Sequence, residues 1–346
     1  MFKKIFPQFK KDLGVDLGTA STLIYVKDKG IVVNEPSVVA VNTRSDQIIA
    51  IGDDAKRMIG KTPSHITTVK PLVEGIVSDF EVTEKMLKYF LEKILNEKLG
   101  LVGSKPRIVI GIPLDVTEVE RKAVEDAALG AGAKEVFLVE EPMAAAIGAR
   151  MPVQESTGNL IIDIGGGTTQ IAVISLSGVV ASKSIRLAGD TLNKNISQYV
   201  RENFNLLIGD TTAERIKIKL GSIYAGEKPI ELPISGRDLL NGLPKEIIIT
   251  DAEVREAIMR SVKSIVTNIK STIEQTPPEL VADIHKRGII LSGGGALLKG
   301  LDELVKKETR VPVTIIDDPL TCVVRGTGLI LEDLESLQDV LIPSAR

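Results

Sequence analysis

The sequence predicts an α/β protein made of two similar lobes. Three observations carry that expectation. Apolar strands alternate with amphipathic helices along the chain, the pattern of stacked α/β layers. Val15-Asp16-Leu17-Gly18 and Ile162-Asp163-Ile164-Gly165 repeat one pattern, apolar-Asp-apolar-Gly, 147 positions apart. Each ends a strand, and each is followed by Gly and Thr residues and a second apolar strand. At 346 residues the chain exceeds one typical domain and suits roughly two.

The elements follow in order. Leu13–Val26 reads as a hairpin around Asp16-Leu17-Gly18-Thr19. Thr83 is expected to cap a helix whose apolar face carries Met86, Leu87, Phe90, Leu91, Ile94 and Leu95. Arg107–Ile112 is a short apolar strand ending at Pro113, and Thr117–Leu129 is a helix stopping at Gly130-Ala131-Gly132. Val136–Val139 is a strand that leads into the Ala-rich helix Pro142–Ala149. Asn159–Ile174 repeats the hairpin, and Thr212–Leu220 has helical spacing. Thr250 and Glu253 form a capping box. It opens a long helix with Ile258, Val262, Ile265, Ile269 and Ile273 on one stripe, and Pro277-Pro278 lies beyond its end. Gly288–Leu291 is a strand running into Gly293-Gly294-Gly295, after which Leu297–Lys306 reads as helix.

Composition narrows the function. Hydrophobic residues make up 43% and charged residues 26%, ordinary values for a globular chain, and the net charge is −3. No basic stripe lies outside the first eleven residues, so a nucleic-acid partner is not expected. Cys322 is the single cysteine, which rules out a disulfide within the chain and suits a reducing cytoplasm. His65 and His285 are the only histidines, so a His/Cys metal site and a Ser-His-Asp mechanism are both disfavoured. No apolar run reaches the ~18 residues that span a bilayer, and no signal-peptide core is present.

The glycine turns suit phosphate. Gly18-Thr19-Ala20 and Gly165-Gly166-Gly167-Thr168 can each gather several backbone N–H groups in one concavity. Asp16 and Asp163 sit beside them, and carboxylates suit magnesium, which keeps several waters and takes few protein ligands. Gly293, Gly294, Gly295 and Ala296 precede a helical segment and form a third candidate anion or nucleotide turn. Each motif alone is equally an ordinary turn, and the triple glycine alone reads first as a flexible one; the three together point to a magnesium–nucleoside triphosphate. No Walker motif is present. Glu141 before Pro142 is either a charge favoured at a helix N-terminus or the group that positions an attacking water. By spacing, Glu214 and Lys217 read as a surface salt bridge.

These motifs resemble the phosphate 1, connect, phosphate 2 and adenosine motifs of the actin/DnaK/hexokinase superfamily. More narrowly, Val15–Tyr25, Asn34-Glu35-Pro36-Ser37, Glu140–Gly148, Asp163–Thr169, Ala213–Lys217, Leu291–Leu298 and Asp318–Cys322 closely resemble the MreB family of bacterial actins, in one register along almost the whole chain. The resemblance implies an actin-like fold: two duplicated ribonuclease-H-like lobes with a nucleotide cleft between them, in four subdomains. It implies residues 1–36, 67–147 and 325–346 for subdomain IA, 37–66 for IB, 148–190 and 257–324 for IIA, and 191–256 for IIB. It implies ATP and magnesium as cofactors, with Asp16 and Asp163 flanking the metal through water. Gly18, Thr19, Ala20 and Ser21 would hold phosphates with Gly165, Gly166 and Gly167. Glu214, Arg215, Ile216 and Lys217 would contact ribose or adenine, overriding the salt-bridge reading. Gly293 to Ala296 would support the adenosine, and Glu141 and Thr168 would orient the attacking water. Where the family usually carries glutamate, this chain has Gln170, an amide that cannot act as a base.

The same resemblance implies slow ATP hydrolysis and antiparallel double filaments on the inner face of the cytoplasmic membrane. There they would guide cell-wall elongation proteins and set rod shape. A non-polymerising assembly ATPase of the same fold, or a small-molecule kinase, is the alternative. A DnaK-type chaperone would need a further domain beyond Arg346. For the membrane contact the residues offer their own pattern. Phe2, Ile5, Phe6 and Phe9 recur at helical spacing with Lys3, Lys4, Lys10 and Lys11 around them, as in an interfacial helix, although Pro7 argues for a terminus without one. A second candidate is the apolar stretch Leu99 to Val102, with Leu101 and Val102 inserting; the alternative is burial under the neighbouring helix.

Overall fold

The computed structural model describes residues 12–96 and 105–343. The chain divides into two compact units, Met1–Met151 with Thr321–Arg346, and Pro152–Leu320.

The first unit opens with three antiparallel strands, β1 (Leu13–Leu17), β2 (Ser21–Val26) and β3 (Gly30–Pro36). An insertion follows: β4 (Val39–Asn42), β5 (Gln47–Ile51), α1 (Asp53–Met58) and β6 (Ile66–Val69) form a small sheet in the order β5-β4-β6. The short strands β7 (Leu72–Val73) and β8 (Ile76–Val77) pair in a tight hairpin. Then come α2 (Phe80–Asn96), β9 (Arg107–Ile112), α3 (Glu118–Gly130), β10 (Glu135–Glu140) and α4 (Glu141–Gly148).

The second unit repeats the scheme. Strands β11 (Asn159–Ile164), β12 (Thr169–Ser175) and β13 (Gly178–Ile185) are again antiparallel. Helix α5 (Gly189–Phe204), β14 (Leu206–Leu207), α6 (Asp210–Leu220), β15 (Glu231–Asp238) and β16 (Pro244–Thr250) follow, and β14-β15-β16 make a second three-stranded sheet. Helices α7 (Asp251–Glu274) and α8 (Pro278–Arg287), β17 (Ile289–Ser292), α9 (Leu301–Thr309) and β18 (Val313–Ile315) complete it. The chain returns to the first unit with α10 (Cys322–Glu332) and β19 (Leu341–Ile342).

The main sheets run β19-β10-β9-β1-β2-β3 and β13-β12-β11-β17-β18. Without the short edge strand β19, both have one order: an antiparallel trio, with two further strands added parallel to its first member. Every residue of β11 is buried, and Leu160-Ile161-Ile162 are apolar in succession, as in a strand covered on both faces. Leu13, Val15 and Leu17 pack with Met86, Phe90 and Ile110 in the first unit. Leu160, Ile162 and Ile164 pack with Ile196, Ile258, Val262, Ile265 and Ile269 in the second. Helix α7 is opened by the expected box, Thr250 accepting from Glu253 N and the Glu253 carboxylate accepting from Thr250 N.

Two helix boundaries differ from expectation. Asp79, not Thr83, caps α2: its carboxylate accepts from Val82 N at 3.0 Å, while Thr83 lies inside the first turn and donates to Asp79 O at 2.6 Å. The segment after the triple glycine is not one helix. Gly294–Leu297 is a single 3-10 turn, and Gly300 with φ 80° turns the chain before α9 begins at Leu301.

Candidate functional site

Both aspartates lie at the carboxyl ends of parallel strands, where open α/β sheets place their ligands. Asp16 in β1 is flanked by Leu23 in β2 and Gly111 in β9. Gly111 leaves room that another side chain fills: a Cβ there would lie 3.4 Å from Glu141 Cγ and 3.1 Å from Val323 Cγ1. Glu141, buried at the first position of α4, therefore packs over the strand next to Asp16. Close packing holds α4 in place. A Cβ on Gly326 of α10 would meet Ala144 O at 1.8 Å, and one on Gly148 would meet Cys322 O at 2.0 Å.

Asp163 is flanked by Gln170 and Ser292. The Ser292 hydroxyl donates to Asp163 Oδ1 at 2.6 Å. Burial pushes the Asp163 carboxyl above its usual range, and the Ser292 hydrogen bond opposes the shift. Gln170 is fully buried, and as the direct cross-strand partner of Asp163 it stands on the same face of the sheet.

Each hairpin turn closes on itself, Gly18 N to Ser21 O at 3.1 Å and Gly165 N to Thr168 O at 2.9 Å. In the second unit the start of α5 folds over the turn, Gly189 N donating to Gly165 O at 3.1 Å and Asp190 N to Gly166 O at 2.8 Å. Lys217 Nζ donates to Gly189 O at 3.0 Å, which brings its positive charge to the same turn. In the first unit Thr19 Oγ1 accepts from Gly75 N at 2.9 Å, linking that turn to the β7–β8 hairpin.

The triple glycine is a packing device. A Cβ on Gly293, whose φ is 78°, would sit 2.4 Å from Ile164 O, and one on Gly295 would sit 2.2 Å from Ile164 Cγ2. The loop thus lies directly on the residue between Asp163 and Gly165. Gly294 is exposed, and Ala296 belongs to the core.

Along α6, Glu214 and Lys217 are half-buried and Arg215 is exposed. Ile216 is a core residue, so its side chain is not gathered with the turns. Thr168 is buried, Ser21 half-buried and Ala20 exposed. Three positions did not emerge individually from the sequence: Gly111, Gly189 and Ser292. Gly111 and Ser292 fall inside stretches quoted above, but nothing local marks them. Phe2, Ile5, Phe6, Phe9, Leu101 and Val102 lie outside the described residues. Among the described residues no helix is long and apolar enough to cross a membrane, and no three Asp, Glu, His or Cys side chains cluster in a way that could hold a metal by themselves.

Two units of one strand order, each ending its first strand in an Asp-x-Gly turn, define an α/β protein of actin-like fold. The MreB/Mbl protein family matches residues 10–339, so the chain belongs to that family. The cell shape-determining protein MreB of Escherichia coli (strain K12) is 49% identical over 341 residues, covering 97% of each chain. The cell shape-determining protein Mbl of Bacillus subtilis (strain 168) is 50% identical over 329 residues, covering 95% of this chain and 98% of Mbl. Among solved structures, MreB5 of Spiroplasma citri bound to AMPPNP matches with a TM-score of 0.90 at 37% identity, covering 95% and 98%. The MamK double helical filament shares the fold, with a TM-score of 0.77 at 23% identity over 93% and 98%.

Proposed function

We propose that the chain is a cell shape-determining, ATP-dependent filament protein that works on the inner face of the cytoplasmic membrane. The observation that carries the nucleotide part is the repeat of one turn, Asp-x-Gly, at the carboxyl ends of parallel strands in both units. MreB5 of Spiroplasma citri binds ADP and AMPPNP, which supports the same ligand here. The turns Gly18 to Ser21 and Gly165 to Thr168 hold phosphates through the backbone N–H groups that follow Gly18 and Gly165, whose own N–H groups close the turns, and Lys217 adds a positive charge. Glu214 with Lys217, and the Gly293–Ala296 loop, serve the nucleoside.

The donor set fits magnesium. Asp163 is a buried carboxylate at the end of its strand, held by the Ser292 hydroxyl, and a carboxylate suits magnesium. Asp16 and Asp163 would hold the ion through water, with phosphate oxygens completing a shell that protein ligands alone do not fill. When bound, magnesium supplies the charge that neutralises the phosphates. Glu141 and Thr168 orient water toward the terminal phosphate, and positioning of that kind is most of what phosphoryl transfer needs. Gln170 in place of a carboxylate keeps turnover slow.

Filament formation and membrane attachment rest on family membership. Head-to-tail contacts that do not close generate filaments. Phe2, Ile5, Phe6, Leu101 and Val102 are the proposed membrane contacts, the inner membrane face and the cell-wall elongation proteins the proposed partners, and the filaments are antiparallel pairs.

One experiment separates the parts. Wild-type protein, Asp16→Ala and Asp163→Ala are titrated with Mg-ATP and then imaged by electron microscopy with ATP and anionic vesicles. Each variant should lose nucleotide affinity or turnover, and wild type should form filaments on the vesicles. Unchanged affinity and turnover in both variants would refute the site. Wild type that stays monomeric at every nucleotide, salt and protein concentration would leave a non-polymerising ATPase.

A further inference from the structure

The stretch Asn34-Glu35-Pro36-Ser37 has no part in the site as described so far. Ser37 follows β3 directly and is fully buried. Its hydroxyl donates to Gly18 O at 2.6 Å, and its N–H donates to Ala20 O at 3.2 Å. Thr22 Oγ1, also fully buried, lies 2.9 Å from Ser37 Oγ. A serine hydroxyl has one hydrogen to give. Ser37 gives it to Gly18, so Thr22 must be the donor to Ser37. The hydrogens form a directed chain from Thr22 through Ser37 to the Gly18 carbonyl.

That chain bears on phosphate. A turn that binds an anion must aim N–H groups at it and keep carbonyl oxygens away. In a planar trans peptide the C=O and the following N–H point in opposite directions. Holding the Gly18 carbonyl on Ser37 therefore aims the Thr19 N–H the other way, and holding the Ala20 carbonyl does the same for the Ser21 N–H. Resting on the nucleotide reading above, we infer that Ser37 is the positioning residue that orients the N–H donors of the Gly18–Ser21 phosphate turn.

The second unit meets the same requirement with different atoms. Its turn carbonyls, Gly165 O and Gly166 O, are held by Gly189 N and Asp190 N, from the segment that follows β13 as Ser37 follows β3. Thr169 occupies the place of Thr22: each pairs across its hairpin with the residue between Asp and Gly, Ile164 or Leu17. Its hydroxyl likewise reaches the post-strand segment, donating to Leu187 O at 2.5 Å. Both units tie their turn carbonyls to the segment that follows the third strand. The first does so through one serine.

The test measures Mg-ATP and adenosine affinities by NMR titration of the full chain. Ser37→Ala should weaken Mg-ATP binding about tenfold, the scale of one buried hydrogen bond, and leave adenosine binding unchanged. Ser37→Cys, a weaker donor of similar size, should fall between Ser37→Ala and wild type. Thr22→Val keeps the shape and removes only the donor behind Ser37, so it should weaken Mg-ATP binding two- to threefold with the same selectivity. Wild-type Mg-ATP affinity in a folded Ser37→Ala overturns the inference, and so does an equal loss of ATP and adenosine. If Ser37→Ala does not fold, Thr22→Val decides: unchanged Mg-ATP affinity there overturns the inference. A wild-type chain that binds no Mg-ATP overturns the nucleotide reading, and this inference with it.

Discussion

The two units share a strand order but not the surroundings of their aspartates. In the first, Asp16 is half-buried between Leu23 and Gly111. In the second, Asp163 is buried between Gln170 and Ser292 and accepts a hydrogen bond from the serine. The strand position that holds Ser292 in one sheet holds Gly111 in the other. A serine there satisfies the aspartate from within the sheet. A glycine there admits a side chain from outside it, and Glu141 takes that space. The two sheets share a strand order but surround their carboxylates differently: the second holds Asp163 with a serine from within the sheet, and the first brings Glu141 up beside Asp16.

The largest effect should come from the group that the glycine admits. Glu141→Ala should retain ATP but slow its hydrolysis by roughly 10²–10⁴, the range for losing one positioned acid–base or water-orienting group. Gly111→Ser, which makes the first sheet imitate the second, should slow hydrolysis in the same direction by crowding Glu141 and Val323. Single-turnover phosphate release measures both. Wild-type rates in both variants would remove the division of labour between the units.

A smaller effect is expected at Gln170. Gln170→Glu would set a second carboxylate beside buried Asp163, on the same face of the sheet. Like charges directly opposite each other destabilise a strand pair by roughly 0.2–1 kcal/mol, and burial adds to the cost. The variant without ligand should therefore melt below wild type, and Mg-ATP should raise its melting temperature more than it raises that of wild type. Turnover should rise several-fold if a carboxylate at this place assists the attacking water. An unchanged rate with a lowered melting temperature would show the position to be structural only.

The local parts of this comparison were legible in the sequence, and the cross-strand parts were not. Hairpins, glycine turns and the Thr250 capping box are short-range patterns, and they fall where spacing put them. The neighbours of the aspartates come from parallel pairing between distant strands, Asp16 with Gly111 and Asp163 with Ser292, and no local periodicity encodes that register. The triple glycine read as flexible because its reason, close contact with Ile164, lies far away in sequence. Thr83 reads as the α2 cap because it stands just ahead of the apolar stripe that starts at Met86, whereas the cap is Asp79, one turn earlier. The family motif Ala213–Lys217 places Ile216 among nucleotide contacts. Its helical spacing from Ala213 and Leu220, both buried, marks it as core.

The smallest effect concerns a carboxylate beside Glu141. Burial raises a carboxyl at the edge of each sheet, Asp163 in the second unit and Glu140, next to buried Glu141, in the first. Burial is the main cause that raises the Glu140 carboxyl above its usual range. Arg121 lowers it, and Asp115 raises it further. Unlike Asp163, Glu140 pairs with Ile112, on the core side of the sheet, so it faces away from Asp16. Its folded pKa lies above its unfolded pKa, so the folded state binds protons more readily there. The contribution to stability is therefore present below the unfolded carboxylate value and is lost as pH rises through the folded one. Glu140→Gln removes that titration with little change of shape. Compared with the variant, wild type should be relatively less stable at pH 7 than at pH 4, while the hydrolysis rate stays close to wild type. Thermal melts across that range, read as the difference between the two proteins, measure the sign. A difference that is flat with pH would mean that Arg121 already offsets the burial. A large fall in hydrolysis would mean that Glu140 acts together with Glu141.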